Sequence, residues 1–386
     1  MFEDELAQLK TNYLLRRPVI IESQDGPRVT IAGRSMLLMC SNDYLGLSNH
    51  PALRSAACAA VERYGIGSGA SRHVSGTGTL HQELEDRLAR FKGTEAAILF
   101  NSGYAANTGI IPAVVGEGDV ILSDSLNHAS IIDGCRLSKA RVQVYRHKDV
   151  THLEDLLRQG DKSGRRLIVT DGVFSMDGDI APLPNLVALA DRHDAMLMVD
   201  DAHAAGVLGK TGRGTTEHFG LEGRVAIQMG TLGKAFGSFG AYAAGNRSLI
   251  DHLVNRSRSY IYSTSLPPAV CAASIAALDL IENDPAPRNQ LWRNREYFIA
   301  GLKQIGVNFG YSESPIIPVM IGGQSQTLDA TARLFDNGIF APAIRPPTVP
   351  QGAARIRMTL TALHRTADLD AVLNALKKCK KEGLVP

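Results

Sequence analysis

The chain has 386 residues, 44% of them hydrophobic and 21% charged, and a formal net charge of +2. That length and composition suit a globular protein with an ample core, and the near-zero charge excludes a polyanion such as nucleic acid as the expected partner. No apolar run approaches the ~20 residues of a membrane span, and the start, Met1-Phe2-Glu3-Asp4-Glu5, lacks the basic and apolar regions of a secretory signal, so a cytoplasmic location away from membranes is expected.

An amphipathic opening, Asp4–Arg17, ends at Pro18 and is followed by strand-like Val29-Thr30-Ile31. From Pro51 onward, helical and strand periods alternate. Leu53–Tyr64 and Leu80–Phe91 read as helices. Ala96–Phe100, Val120–Ser123, Val142–Tyr145, Arg166–Thr170 and Ala195–Val199 read as strands. Their continuous apolar character, with helices between them, predicts an α/β fold whose mostly parallel sheet is covered on both faces. Beyond Ile281 come a charged helix (Asn289–Gln304), a strand (Ile316–Met320), a helix (Thr327–Asn337), a strand (Arg355–Thr359) and a last helix (Ala367–Lys380). The expected division is an N-terminal segment at 1–45, a large α/β domain at 46–280 and a small C-terminal α+β domain at 281–386. Five scattered cysteines (Cys40, Cys58, Cys135, Cys271, Cys379) form no CxxC pair and read as reduced, buried thiols, and no metal site is expected.

In open parallel sheets ligands bind where strands end and loops begin, and the polar clusters fall there. Asn101 to Asn107 follows the Phe100 strand, and Ser102-Gly103 opens a helix whose free N–H groups suit a phosphate, with Tyr104 beside them. Asp124 to Ser130 follows the next strand and carries His128, whose ring can stack or simply cap a helix. Asp171 to Gly178 places Ser175 in a strand-end loop, although Asp177-Gly178 is also a plain turn signal. The run Gly65 to Arg72 is no dinucleotide fingerprint, because a helix rather than a strand precedes it.

Met198-Val199-Asp200-Asp201-Ala202-His203 reads as a buried strand ending in an acid and an imidazole, and Gly230 to Gly237 wraps Lys234 in small residues. Together they suggest a lysine that carries a Schiff base. The carboxylate would keep the ring nitrogen of a bound pyridoxal phosphate (PLP) protonated.

Asn42-Asp43-Tyr44-Leu45-Gly46-Leu47, His128-Ala129-Ser130, Asp171 to Gly178, Asp200-Asp201-Ala202-His203 and Thr231-Leu232-Gly233-Lys234 occur in that order over nearly the whole chain. The series resembles the α-oxoamine synthases, PLP enzymes of fold type I that condense an amino acid with an acyl thioester. The resemblance implies a mostly parallel central sheet with a smaller C-terminal α+β domain, PLP as cofactor, and a homodimer with active sites at the subunit interface. Ile344 to Pro350, Ala354 to Ala362, His73 to Gly76 and Tyr262 to Pro268 resemble the biotin-pathway branch, which implies L-alanine and a pimeloyl thioester of coenzyme A or acyl carrier protein as substrates. Phe174 to Gly178 and Gly78 to Glu85 also resemble the branch that joins glycine to acetyl-CoA. A scaffold subunit without activity is disfavoured because Lys234, Asp200 and His203 occur together.

On that resemblance Lys234 binds the cofactor and removes the substrate's α-proton, Asp200 pairs with the ring nitrogen, and His128 stacks on the ring and meets the substrate. Ser175 and His203 contact the ring-oxygen region. Gly103, Tyr104 and Thr231 hold cofactor and phosphate, and Ser263 or Thr264 reaches across from a second subunit. Arg345 clamps the amino-acid carboxylate, a bidentate task that suits guanidinium. Arg16 and Thr348 contact substrate, and Asn42 touches the aldimine or the carboxylate.

Overall fold

Strands rich in consecutive apolar residues can only be buried on both faces, and the computed structural model, which describes residues 2–159 and 163–386, shows this directly. Every residue of Ala96–Phe100, Val120–Asp124, Arg166–Asp171, Ile227–Thr231 and Ala241–Gly245 is buried. These join Met196–Asp200 and the edge strand Arg141–Tyr145 in a seven-stranded sheet. From one edge the order is Ala96–Phe100, Ala241–Gly245, Ile227–Thr231, Met196–Asp200, Arg166–Asp171, Val120–Asp124 and Arg141–Tyr145. All pairings are parallel except those of Ala241–Gly245, which runs against both neighbours, with Ala241 opposite Phe100 and Thr231. Side chains alternate across the sheet: Ile121, Leu167 and Val169 join one apolar cluster, and Leu122, Ile168 and Val199 the other.

The chain divides into two compact units. The larger, Leu45–Phe174 with Ile180–Arg288, holds this sheet and the helices packed on it. The smaller combines Met1–Tyr44, Ser175–Asp179 and Asn289–Pro386. Within the smaller unit, Ile316–Gly322, Ala354–Thr359 and Ala343–Ile344 form an antiparallel sheet. Ser23–Asp25, Arg28–Ile31 and Arg34–Leu38 form a second, which Ile339–Phe340 extends in parallel, placing Ile339 opposite Leu37.

The strand Ala241–Gly245 escaped the sequence reading because Ala-Tyr-Ala-Ala-Gly has no β-branched residue. The opening helix spans Phe2–Thr11 and stops short of the expected Arg17, since Tyr13 adopts a left-handed φ of 56°. Cys58 is exposed and Cys40 only half-buried, a correction to the expectation of buried thiols; Cys135, Cys271 and Cys379 are buried, and all five are free. No helix among the described residues is long and apolar enough to cross a membrane.

Candidate active site

The strand Ile227–Thr231 delivers the chain into the turn that carries Lys234. Leu232, Ala235 and Phe236 are buried around it, and Phe236 meets Phe91 edge-on at 5.9 Å. Ser238 N–H donates to Leu232 O and Gly237 N–H to Lys234 O, each at 2.9 Å. Gly237 has φ 62°, and a Cβ there would lie 2.4 Å from Ser48 N, so no other residue fits that corner. With its neighbours fixed, the half-buried Lys234 side chain leaves the turn alone and brings Nζ to 2.9 Å from Nε2 of the buried His203.

Asp200 ends the neighbouring strand and is 3% exposed. Its Oδ2 accepts from Asn107 Nδ2 at 2.8 Å and its Oδ1 from Ala202 N–H at 2.9 Å. Behind it, Asp201 is buried against Lys92 Nζ at 3.1 Å and accepts from the Thr215 hydroxyl at 2.6 Å. Both oxygens of Asp200 are thereby fixed in direction.

Asp171 stands beside Asp200 in register on the adjacent strand. Burial, and then the Asp200 charge, push its carboxyl well above the ordinary range, opposed by the N–H of His128, which it accepts at 2.7 Å. The His128 imidazolium is disfavoured chiefly by desolvation, with Asp200 opposing and Lys234 adding to the shift. Its Nδ1 meets Ser130 Oγ at 2.7 Å and accepts from Ser130 N–H at 3.2 Å.

The helix Gly103–Val114 starts behind an N-cap at Ser102, whose Oγ accepts from Ala105 N–H at 3.1 Å. The N–H groups of Gly103 and Tyr104 lie in that first turn, where helices bind anions. A Cβ on Gly103 would come within 2.8 Å of Thr231 Cγ2, so only glycine lets this helix end approach the strand. Tyr104 is exposed and its hydroxyl donates to Asp133. Gly103, Tyr104, His128, Ser130, Asp171, Asp200, Ala202, His203, Thr231 and Lys234 line one cavity of about 210 Å³. An amine, a buried carboxylate, an imidazole and a helix N-terminus around one hollow are a donor set that fits PLP.

Ser263 and Thr264 do not line that cavity. Ser263 borders a small hollow with Arg72 and Tyr260, and Thr264 is exposed, its carbonyl accepting from Asn101 Nδ2 at 2.7 Å.

The remaining expected residues lie in the smaller unit and form two groups. Arg16 donates to the carbonyls of Arg345 at 3.2 Å and Pro346 at 2.8 Å, and the buried Arg345 donates back to Tyr13 O and to Leu15 O at 3.4 Å. Among the described residues, Arg345 Nε finds no partner. Both arginines border a largely apolar cavity of about 650 Å³ that Phe335, Phe340 and Ile344 help to line. The exposed Thr348 is linked through its N–H to Arg345 O at 3.1 Å. In the second group Arg357, which sequence reasoning missed, donates to Asn42 Oδ1 at 3.0 Å and to the carbonyl of Ser175. Arg357 is 7% exposed, and Arg355 beside it holds Met176 O and Asp177. The available signal was two arginines, i and i+2, on one face of a strand.

A family model described as aminotransferase class I and II matches residues 34–376. The 8-amino-7-oxononanoate synthase of Geobacter metallireducens is 56% identical over 370 residues, covering 95% of each chain. Among solved structures, a serine palmitoyltransferase from S. paucimobilis with bound PLP–myriocin superposes with a TM-score of 0.95 at 33% identity, covering 100% of this chain and 98% of that one. The 8-amino-7-oxononanoate synthase of Francisella tularensis superposes at 0.79 with 30% identity, covering 91% of this chain and 99% of that one. With the α/β sheet and the lysine–carboxylate cavity, these likenesses place the chain in the aminotransferase class I and II family and, within it, among the PLP-dependent α-oxoamine synthases.

Proposed function

We propose that this protein condenses L-alanine with a pimeloyl thioester, with loss of carbon dioxide and release of the thiol carrier, to give 8-amino-7-oxononanoate for biotin synthesis. The observation that carries the chemistry is the cavity where Lys234 Nζ, the Asp200 carboxylate and the His128 ring converge. The choice of substrates is supported by the 56% identity to the Geobacter synthase.

PLP, when bound, supplies an electron sink for the negative charge left at the amino acid's α-carbon. Lys234 is proposed to take the α-proton on Nζ, and His203 Nε2, 2.9 Å away, to hold or return a proton there. Asp200 holds its negative charge where the ring nitrogen is expected, and Asn107 and Ala202 keep both of its oxygens aimed. His128 offers a neutral face for stacking on the ring. Gly103, Tyr104 and Thr231 are proposed to receive the phosphate, and His203 and Ser175 to serve the ring-oxygen region.

Arg16, Arg345 and Thr348 are proposed to contact substrate. Arg357, fixed against Asn42, joins them as a partner for the amino acid's carboxylate. Holding that carboxylate charged and hydrogen-bonded opposes loss of carbon dioxide before the acyl group has been added. A homodimer in which Ser263 or Thr264 serves the partner's site is part of the same proposal.

Product mass spectrometry with alanine and glycine against a panel of acyl thioesters tests the reading. 8-Amino-7-oxononanoate from alanine and pimeloyl thioester is expected. A preference for glycine with acetyl-CoA would replace it.

A further inference from the structure

We propose that Asn107 is a positioning residue that aligns the two groups expected to face the cofactor ring, Asp200 and His128, through one amide. The inference rests on the site reading above and extends the part Asn107 plays there, aiming Asp200, to His128 through Ser130.

Asn107 is fully buried one turn into the helix Gly103–Val114, and its Nδ2 spends both hydrogens. One goes to Asp200 Oδ2 at 2.8 Å and the other to Ser130 Oγ at 2.9 Å. An ionised carboxylate only accepts, so the amide cannot be turned round. Ser130 Oγ, having accepted from Asn107, meets His128 Nδ1 at 2.7 Å. The Ser130 backbone N–H also points at that Nδ1, from 3.2 Å, and a backbone N–H can only donate. Nδ1 therefore carries a lone pair, and the His128 proton sits on Nε2. The connected chain Asp200–Asn107–Ser130–His128 thus fixes the carboxylate's direction and the imidazole's tautomer together.

The same helix begins at Gly103 and Tyr104, where the phosphate is expected, so one rigid element references both ends of the ring. The cost is visible: among the described residues, Asn107 Oδ1 is buried without a partner. An apolar side chain of similar volume would avoid that orphan, so packing alone does not explain an asparagine here.

The test uses the full-length holoenzyme and two readouts, the PLP dissociation constant and the position of the visible band of bound PLP. Asn107→Leu fills the space without donating. Asn107→Asp keeps the shape but turns an acceptor toward Asp200. Expected are at least a ~10-fold weaker PLP affinity for Asn107→Leu, the scale of losing a hydrogen bond to a charged group, and a larger loss for Asn107→Asp, with the band displaced in both. Ser130→Ala removes the Oγ that joins the amide to His128 and leaves the amide's bond to Asp200, so it should displace the band with less loss of affinity.

A packing role predicts the reverse order, the isosteric aspartate being the milder change, and that order would overturn the proposal, as would wild-type affinity and spectrum in Asn107→Leu. If the Asn107 variants do not fold, Ser130→Ala decides: an unmoved band rejects the relay. Wild-type protein and Lys234→Ala are run alongside. Absence of any Lys234-dependent band in wild type would sink the site reading itself, whereas a normal wild-type band with indifferent variants sinks only the role of Asn107.

Discussion

Lys234 Nζ and His203 Nε2 stand 2.9 Å apart, two nitrogens that can share one proton between them. The contact places a second nitrogen, able to donate or accept, within hydrogen-bond reach of the lysine amine. Lys234→Ala is expected to abolish the visible absorbance of bound PLP and to lower kcat by at least ~10²–10⁴-fold, the range of a lost proton-transfer group. Absorbance spectra and steady-state rates check it. An unchanged spectrum would remove the lysine from the site.

Arg345 and Arg357 can be separated by kinetics. Arg345 already donates to the carbonyls of Tyr13 and Leu15, whereas Arg357 holds Asn42, a residue expected near the carboxylate. Arg357→Ala should raise KM for alanine by roughly 10–100-fold, as for a lost charge-assisted hydrogen bond. Arg345→Ala should raise it less. The opposite ranking would make Arg345 the stronger carboxylate partner.

The Lys92–Asp201 pair has side-chain exposures of 0% and 1%. Removing one partner leaves a buried charge unpaired, and Lys92→Met is expected to destabilise the fold by about 3–5 kcal/mol. Urea unfolding measures the loss. The double variant Lys92→Met/Asp201→Asn should recover part of it, because no lone charge then remains.

Acid sensitivity follows from His364. Burial is the main cause holding its pKa below the ordinary 6.5. Its Nδ1 accepts from Thr361 N–H at 3.1 Å and its Nε2 lies 3.0 Å from Leu38 O, an arrangement only the neutral ring satisfies. Above 6.5 the folded and unfolded chains both carry it neutral. Below that, the unfolded chain binds a proton that the folded one refuses, so stability falls as pH drops, by up to about 1.4 kcal/mol per pH unit, until the folded pKa is reached. Denaturation midpoints between pH 8 and 5 should show the slope, and His364→Gln should reduce it, leaving the share of other histidines with lowered pKa such as His81 and His128.

The parts of the fold visible in sequence were those whose burial demands a continuous apolar run, such as Val120–Asp124 and Arg166–Asp171. Ala241–Gly245 is just as buried, but its small residues fit a helix or a turn equally well, and only its two neighbours make it a strand. Strand-end polar residues were visible for the same reason that strands were: Asp200, His203 and Lys234 interrupt apolar stretches. Arg357 was hidden because alternating charges in Ala354–Thr359 read as a solvent face, whereas all six residues are buried. Asn107 was hidden because a polar residue near a helix start reads as part of the cap. Its partners Ser130 and Asp200 lie 23 and 93 residues away, and no local pattern announces them.

The pairing of Ile339 with Leu37 has a temporal consequence. A ribosome emits the Arg34–Leu38 strand early, yet its parallel neighbour Ile339–Phe340 emerges only some three hundred residues later. The seven-stranded sheet, complete by Gly245, has all its strands in hand long before then. Synthesis therefore leaves the N-terminal strands waiting with an unpaired edge, which is the kind of surface that recruits other chains. Nascent polypeptides halted before Ile339 should be markedly more prone to aggregate than those halted after Thr359.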